Sequence, residues 1–341
     1  MHKIIFTGNL KRIFTLVFAV TFPISNFACT IFTLNHNDGR YISRSFDWDY
    51  ADGVVLVNPR GATKTSLLFD DSLTPATWVS KYGSVTLNQA ADEFPMSGMN
   101  EAGLTVDVLV LAKSKFPRQF SKPVMNEVQI IQYLLDTSST VAEAKTQAEK
   151  VQVSPFAEKV HWMVCDANSD CAAFEYLNGA LVVSKYAPEN KQILANDLYS
   201  ETLDPRKMSQ RPKAAYDHLQ IPLGDRNPIA YMMEGLQKTK LPSTVWQLVY
   251  SVHNRQISFR DFAANNSLKT IDLKKMDFTC GKIKSYIDIK NSAEGEISNR
   301  LAPYPESRNI ELLKQVLPDA ALVPYVNQYY QQISCATIAA H

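Results

Sequence analysis

The sequence predicts an α+β domain, because one stretch with helical periodicity is preceded and followed by strand-like runs. Short apolar runs rich in β-branched residues occupy residues 30–112 and again residues 161–262. Between Pro123 and Val151 the apolar residues recur instead every three or four positions. Asn178-Gly179 joins two strand-like runs, as in a tight hairpin. Without a glycine-rich linker or an internal repeat, the pattern indicates a single domain.

The predicted strands are short runs bounded by turn-forming residues. They are Thr30 to Leu34, Tyr41 to Trp48, Val54 to Asn58, Leu104 to Ala112, His161 to Asp166, Ala172 to Leu177, Ala180 to Tyr186, Thr244 to Ser251 and Gln256 to Phe262. Helical spacing predicts an apolar stripe of Val124, Val128, Ile131 and Leu135. Thr140-Val141-Ala142-Glu143 then fits a capping box that opens a second helix. Residues 285–341 form a tail that packs on the domain, with one helix near Ile310 to Val316.

Composition excludes several classes of protein. The chain has 341 residues, of which 45% are hydrophobic and 20% charged, so collagen-like and disordered chains are excluded. A net charge of +1 gives no support to nonspecific binding of nucleic acid.

Residues 1–28 have the layout of a secretory signal peptide. Basic residues precede an apolar stretch from Ile13 to Phe22, and a short polar segment then leads to Ala28. The apolar stretch is about half as long as a bilayer span, which favours a cleaved signal over a membrane anchor. We therefore expect a periplasmic or secreted protein, with residues 29–341 as its one domain and no membrane span after cleavage.

Cleavage after Ala28 would make Cys29 the first residue, and two outcomes compete. In a lipobox the Cys29 thiol is alkylated by diacylglycerol, which gives a lipid-anchored protein without a reactive thiol. Asn26 stands where a lipobox prefers leucine, which argues against lipidation of Cys29. Asn26 is also larger than the residue that an ordinary cleavage site prefers there, so the position of the cut stays open.

The remaining cysteines are even in number, as in a disulfide-bonded exported protein. Cys165 and Cys171 bracket a polar loop and are expected to pair across a hairpin. Cys280 and Cys335 form a second bridge or are free buried cysteines. The histidines are scattered and neither Cys-x-x-Cys nor His-x-x-x-His spacing occurs, so the sequence predicts no metal site and no cofactor.

An N-terminal cysteine carries a thiol and a free α-amine on one residue. The α-amine has a reference pKa of about 7.7 to 8.0, so it can accept the thiol proton without help from a histidine. Nearby cations would lower both pKa values. Arg44 and Asp47 are candidates to flank Cys29 if the second strand pairs antiparallel with the first, although they could also form a simple surface ion pair.

Several motifs occur in a recognisable order. They are Cys29-Thr30, Arg44-Ser45-Phe46-Asp47-Trp48, Leu56-Val57-Asn58-Pro59-Arg60-Gly61, Gly98-Met99-Asn100-Glu101-Ala102-Gly103-Leu104, His161-Trp162 and Ile193-Leu194-Ala195-Asn196. The set resembles the choloylglycine hydrolase family, which includes bile salt hydrolases and penicillin V acylases, within the N-terminal nucleophile hydrolases.

The resemblance implies an αββα sandwich, in which two antiparallel sheets lie between helical layers. It also implies hydrolysis of a linear amide C–N bond of a small N-acyl compound through a thioester. Cys29 would be nucleophile and base, Arg44 and Asp47 would position and polarise it, and Asn196 would donate to the oxyanion. Arg211 best matches the later active-site arginine of the family, with Arg206 as the fallback.

Trp48, next to Asp47, is expected to contact an apolar acyl group. Phe46, Phe94, Met96 and Met99 lie at or near strand ends, where such residues more often belong to the core. The amine half of the substrate is expected to be weakly specified.

Three departures from the family bear on function. Val110 occupies the position at which the family often has an asparagine or tyrosine oxyanion donor. The stretch between Asn196 and Arg211 is shorter than in relatives whose insertion there builds a tetramer, which leaves homo-oligomerisation open. The export signal resembles the Gram-negative branch, which favours penicillin V and acyl-homoserine lactones over conjugated bile salts.

Two alternatives remain at this point. A lipid-anchored or periplasmic binding protein with the same fold and no hydrolase activity is compatible with Val110. A papain-like hydrolase could instead use Cys165 and His161, which are four positions apart on one predicted strand.

Overall fold

The structure is a computed structural model that describes residues 29–89, 91–92, 94–186, 192–317, 320–331 and 334–335. The predicted signal peptide, residues 1–28, lies outside the described residues. Within them no helix combines the length and the apolarity that crossing a bilayer requires.

The strands are numbered in chain order. They are β1 Thr30–His36, β2 Gly39–Asp47, β3 Val54–Asn58, β4 Ala62–Thr65, β5 Thr77–Val79, β6 Ser84–Asn88, β7 Pro95–Asn100, β8 Thr105–Val110, β9 Val124–Met125, β10 Gln152–Val153, β11 Val160–Cys165, β12 Cys171–Leu177, β13 Ala180–Lys185, β14 Ile193–Ala195, β15 Thr244–Ser251, β16 Gln256–Asp261, β17 Lys269–Asp272, β18 Ser285–Asp288, β19 Gly295–Glu296, β20 Ala302–Pro303 and β21 Ser334–Cys335. The α-helices are α1 Gln129–Thr137, α2 Val141–Ala148, α3 Gln210–Leu219, α4 Pro228–Lys238, α5 Glu306–Val316 and α6 Leu322–Gln331.

Two large sheets form the centre of the molecule. One has the strand order β14-β1-β2-β15-β16-β17-β19 and is antiparallel except at its β17–β19 edge. The other is antiparallel throughout, in the order β13-β12-β11-β8-β7-β6-β3-β18-β20. Ile31, Ile42 and Phe46 of the first sheet pack in one buried cluster with Val55 and Leu109 of the second. The two sheets therefore lie face to face.

Helices cover the outer face of each sheet. Ile131 and Leu135 of α1 pack with Val106 of β8 in one cluster, whereas Met232 and Leu236 of α4 pack in another against the first sheet. The arrangement is an αββα sandwich, as expected. Because both faces of its central strands are covered, β2 is buried almost along its whole length.

Local turn chemistry explains several of the connections. Asn178 and Gly179 both have positive φ, 53° and 84°, which is the geometry of a type I′ turn between β12 and β13. The Thr140 hydroxyl accepts the Glu143 N–H at 3.1 Å and caps α2, as the sequence predicted.

Some elements differ from the sequence-based prediction. The helical stripe is wrong at Val124, which lies in β9 and pairs in parallel with Gln152, so that α1 begins only at Gln129. The pattern also did not predict α3 and α4, the second helical layer.

The segment from Ser285 does more than pack on the sandwich. β18 pairs with β3 inside the larger sheet, and Tyr286 lies opposite Leu56. The helix expected near Ile310 begins at Glu306, and α6 follows it as a second helix.

Two disulfides are present. Cys165 and Cys171 are directly opposite each other on β11 and β12, with Cα atoms 4.1 Å apart. Cys280 is bonded to Cys335 across 55 positions and ties the end of the chain to the domain. Cys29 is the free cysteine of the described residues.

Candidate active site

Cys29 lies immediately before β1, which pairs with β2 on one side and β14 on the other. Its side chain is only 3% exposed, and this burial raises the pKa of the Cys29 thiol above its ordinary value. The positive charges of Arg44 and Arg211 and an N–H from Asp47 oppose that effect, while the Asp47 carboxylate adds to it. The thiol is therefore protonated at neutral pH and needs a base before it can attack.

Arg44 extends from β2 into the space between the sheets. Its Nη2 donates to the Val108 carbonyl oxygen at 2.6 Å, and its Nη1 donates to the Met96 carbonyl oxygen and the Ser97 hydroxyl. Nη1 also lies 3.4 Å from Oδ1 of Asp107. These contacts fix a buried positive charge on the face of β2 that Phe46 also occupies.

Asp107 is a charged residue in an otherwise uncharged strand. Burial raises the pKa of Asp107 to about 6, although the Arg44 guanidinium opposes the shift. The Tyr250 hydroxyl donates to Oδ1 of Asp107 at 3.1 Å. Asp107 is therefore ionised at neutral pH and balances the charge of Arg44 across the two sheets.

Asp47 ends β2 with its side chain on the opposite, helix-covered face. Its carboxylate accepts hydrogen bonds from the Thr244 hydroxyl and from Nη1 of Arg211. Nη2 of Arg211 donates to the Ser45 hydroxyl at 3.0 Å, and its Nε donates to the Thr239 carbonyl oxygen. Burial raises the pKa of Asp47 above its ordinary value, although the positive charge of Arg211 opposes the shift.

The surface ion pair considered for Arg44 and Asp47 does not exist. Both side chains are fully buried, and each pairs with a partner from a different layer, Asp107 for Arg44 and Arg211 for Asp47. β1 and β2 pair antiparallel, which was the condition set from the sequence, and this pairing brings both residues near Cys29.

Arg211, in the first turn of α3, is the later arginine that the structure brings to Cys29. The fallback Arg206 is not brought there: its side chain is 89% exposed and pairs with Asp204 at 2.9 Å. Two cations thus approach the start of β1 from opposite faces of one sheet.

Asn196 follows β14, in which Ala195 pairs with Thr30. The next step of that register places Asn196 level with Cys29. Nε2–H of His161 donates to the Ala195 carbonyl oxygen at 2.9 Å and holds the peptide before Asn196 in place.

The arrangement of His161 does not support a papain-like site. Its Nδ1 lies 3.2 Å from Oε1 of Glu175, so both ring nitrogens are engaged. Cys165 has no free thiol, because it is bonded to Cys171. This pair therefore offers no nucleophile.

A largely apolar cavity opens above Cys29. It is lined by Phe46, Trp48, Tyr50, Phe69, Gln89, Phe94, Met96, Val108, Leu109, Val110, Glu127, Val128, Phe156, Ala157, Glu158, Val160, Leu313, Val316, Leu317 and Val326. Trp48 lies in the wall and stacks on Phe46, with ring centroids 6.0 Å apart. Phe46, Phe94 and Met96, for which a place in the core was favoured, line the cavity, whereas Met99 packs between the sheets.

Val110 also lines the cavity, at the end of β8 and opposite Val160. Its side chain has no hydrogen-bond donor, so any donors to an oxyanion must come from other groups. Among the residues that the structure describes, no three His, Cys, Asp or Glu side chains come together as ligands for a metal ion.

Three parts of the site were not predicted from the sequence: Asp107, Thr244 and one part of the cavity wall. Asp107 gave a signal, since a carboxylate in the run Thr105–Val110 must either be buried with a partner or lie at the surface. Thr244 gave none, because threonine is ordinary at the start of a strand. The third support is the part of the cavity wall that comes from α5 and α6, which is discussed below.

Comparison with known proteins agrees with this architecture. The family model of linear amide C–N hydrolases, choloylglycine hydrolase family, matches residues 29–199. A penicillin V acylase from Pectobacterium atrosepticum is 31% identical over 189 residues, which are 50% of this chain and 49% of that protein. The chain thus matches about half the length of this curated relative.

Two solved structures share the fold. The penicillin V acylase from Agrobacterium tumefaciens superposes with a TM-score of 0.68 at 23% identity, covering 81% of this chain and 98% of that one. A variant of the conjugated bile acid hydrolase from Clostridium perfringens gives 0.62 at 12% identity, covering 78% and 98%.

Proposed function

We propose, since this chain belongs to the choloylglycine hydrolase family of linear amide C–N hydrolases, that it hydrolyses a small N-acyl compound through a thioester on Cys29. The observation that carries the proposal is the free Cys29 thiol at the wall of an apolar cavity, beside the buried Arg44 and the partly buried Arg211. The family match also begins at Cys29. Penicillin V, acyl-homoserine lactones and conjugated bile salts are the candidate substrate types.

The base in this mechanism is the α-amine of Cys29, which becomes free when residues 1–28 are removed. The amine takes the thiol proton while Sγ attacks the acyl carbonyl carbon. The tetrahedral intermediate collapses as its C–N bond breaks, and the proton passes to the leaving amine. Water then attacks the thioester carbonyl carbon and gives up a proton to the α-amine. The C–S bond breaks and the amine passes this proton to the sulfur, which releases the carboxylic acid and restores the thiol.

The two arginines act on this chemistry from opposite faces of the sheet. Arg44 and Arg211 both favour the thiolate electrostatically and so offset part of the cost of ionising a buried sulfur. Asp47 positions Cys29 through its backbone N–H, while its carboxylate keeps Arg211 in place. The Asn196 side-chain amide donates to the oxyanion, and backbone N–H groups make up for the lack of a donor at Val110.

Export of the protein is part of the same proposal. Two disulfides favour an oxidising compartment, and the predicted signal ends just before Cys29. The mature protein is then residues 29–341, periplasmic or secreted, acting as a monomer or a homo-oligomer without a resident cofactor.

The second candidate function is that of a binding protein with the same fold. It is favoured by Val110, whose side chain has no hydrogen-bond donor for an oxyanion. Intact mass separates the two. We expect a mature chain that begins with unmodified Cys29, and a diacylglyceryl adduct on that cysteine would contradict the hydrolase.

A substrate panel tests the proposed function directly. Purified mature protein is given penicillin V, acyl-homoserine lactones, glycocholate and taurocholate, and release of the amine is followed by mass spectrometry. We expect turnover of penicillin V or acyl-homoserine lactones above that of the bile salts, because the cavity wall is almost entirely apolar. Failure to cleave any of the four would contradict the proposal.

Exchange of Arg211 for methionine should lower kcat/KM by about a hundredfold, because Asp47 loses its partner and Cys29 its position. The variant also leaves a buried carboxylate unpaired, at a cost of roughly 3–5 kcal/mol in stability. Arg211→Lys keeps the charge and should lose less of both. Arg206→Met is the matched control and should behave as wild type, since Arg206 is exposed. Equal losses in Arg206→Met and Arg211→Met would contradict the assignment.

A further inference from the structure

The cavity that contains Cys29 extends to the C-terminal helices, outside the residues of the family match. Leu313 and Val316 at the end of α5, Leu317 just after it and Val326 of α6 belong to its lining. We call these four residues the tail wall. None of these four residues takes part in the proposed reaction, so any function of theirs lies in binding the substrate.

We propose that the tail wall is a distal subsite for the end of the acyl group remote from the amide, and that it selects neutral alkyl or aryl ends without hydroxyl groups. The inference rests on the proposed function, because the acyl carbonyl must lie at Cys29 for its other end to reach the tail wall.

Packing fixes the tail wall against the sandwich. Leu313 and Val326 share a buried cluster with Leu67, Phe94 and Val128, which is separate from the cluster around Cys29. Met96 packs against both clusters and also lines the cavity. The cavity therefore runs from one apolar cluster to the other past Met96.

Hydrogen bonds tie the two tail helices to each other and to the core. Oδ1 of the buried Asn309 accepts the Asp92 N–H at 3.0 Å and the Tyr304 hydroxyl at 3.0 Å. Its Nδ2 donates to Asn327 on α6 at 3.1 Å, and Asn327 donates to Glu306 at 2.7 Å. A wall held in this way stops an acyl chain at a set length.

Two polar side chains of the cavity lining already have partners within the protein. The Glu127 carboxylate accepts the N–H groups of residues 156–158 at 2.8–3.0 Å, and Gln89 donates to the Tyr50 carbonyl oxygen at 2.7 Å. A hydroxyl at the end of the acyl group would lose its water beside the tail wall without gaining a partner, because all four side chains there are apolar. Glu158 contributes a further carboxyl to the lining, which disfavours an anionic end.

Three exposed aromatic side chains lie together beside the cavity. Phe69, Phe156 and Tyr325 are 39%, 45% and 46% exposed, and Phe69 lies 5.1 Å from Phe156 and 6.3 Å from Tyr325 between ring centroids. The Tyr325 hydroxyl donates to the Leu68 carbonyl oxygen at 3.2 Å. Exposed aromatic rings from three separate segments suit the entry of an apolar acyl group.

A chain-length series tests the subsite. Wild type and Val316→Trp are compared on unbranched N-acyl p-nitroanilides from butanoyl to dodecanoyl. In the wild type kcat/KM should rise about fourfold for each methylene buried, until the chain meets the tail wall. Val316→Trp should lower kcat/KM at least tenfold for the longest chains that the wild type accepts and leave butanoyl within twofold. Val316→Ala should move the optimum towards longer chains.

Lys314→Trp is the matched control, because it adds the same ring to an exposed position of α5 outside the cavity lining. It should reproduce the wild-type profile. A Val316→Trp profile lowered equally at every chain length, or not at all, would overturn the subsite.

Binding separates this inference from the proposed function. The same amides are titrated calorimetrically into wild type and Val316→Trp. If the wild type hydrolyses none of them while Val316→Trp still weakens binding of the long chains alone, the subsite stands and the proposed function fails. If the wild type hydrolyses them but chain length affects neither protein, the proposed function stands and the subsite fails.

Discussion

Replacing Cys29 with alanine should lower kcat by a factor on the order of 10⁴–10⁶ while the protein still folds. The loss is large because the thiol is the atom that forms the thioester, and a site without its nucleophile keeps only the rate that binding and oxyanion donors supply. Folding should survive, since deleting one buried sulfur costs about 1 kcal/mol. Steady-state kinetics, circular dichroism and thermal unfolding measure the two effects.

The other cysteines supply the control for this experiment. The double variant Cys280→Ser/Cys335→Ser removes two sulfurs distant in sequence from Cys29 and should keep turnover of short acyl chains. It should unfold more easily, by roughly 4 kcal/mol for a loop of this length in the chain-entropy description of disulfides. Acid-quenched wild type should carry the acyl mass on Cys29. Wild-type turnover in Cys29→Ala would rule out Cys29 as the nucleophile.

Blocking the α-amine of Cys29 should be nearly as damaging as removing the thiol. A methionine retained before Cys29 converts the amine into an amide, which has no basic lone pair, while the thiol and its surroundings are unchanged. Because burial raises the pKa of the Cys29 thiol, little thiolate exists to attack without a base. We expect kcat/KM to fall by about a thousandfold, within the range for loss of a general base.

The same preparation can serve as its own control. Removal of the added methionine by an aminopeptidase should restore full activity, and intact mass reports the cleavage. In the restored enzyme kcat/KM should rise with pH as the amine loses its proton, near the reference pKa of about 7.7 to 8.0. Full activity in the extended protein would show that another group is the base.

The strand β2 shows what a sequence can and cannot predict about such a site. The run Tyr41 to Trp48 predicted the strand, and its antiparallel pairing with β1 was the condition for placing Arg44 and Asp47 beside Cys29. The burial of both faces was not visible, because Arg44 and Asp47 resemble solvent-facing residues until helices and a second sheet cover them. Their partners come from distant segments, Asp107 and Arg211, and no local pattern links them.

The helices differ in how predictable they were. Thr140 and Glu143 gave a local capping signal, and α2 begins there. The helices α3 and α4 are short, and their stability comes from burying Ala215, Met232 and Leu236 against the first sheet. Tertiary packing also decides Val124, whose place in the apolar stripe yields to strand pairing with Gln152.

Strand β18 has a consequence for how the chain acquires its shape. It pairs with β3, so the larger sheet joins residues 54–58 to residues 285–288. A ribosome must synthesise most of the polypeptide before that edge can close, and contacts of such long range form slowly. A nascent chain therefore leaves this edge of the sheet open until residues 285–288 have been made.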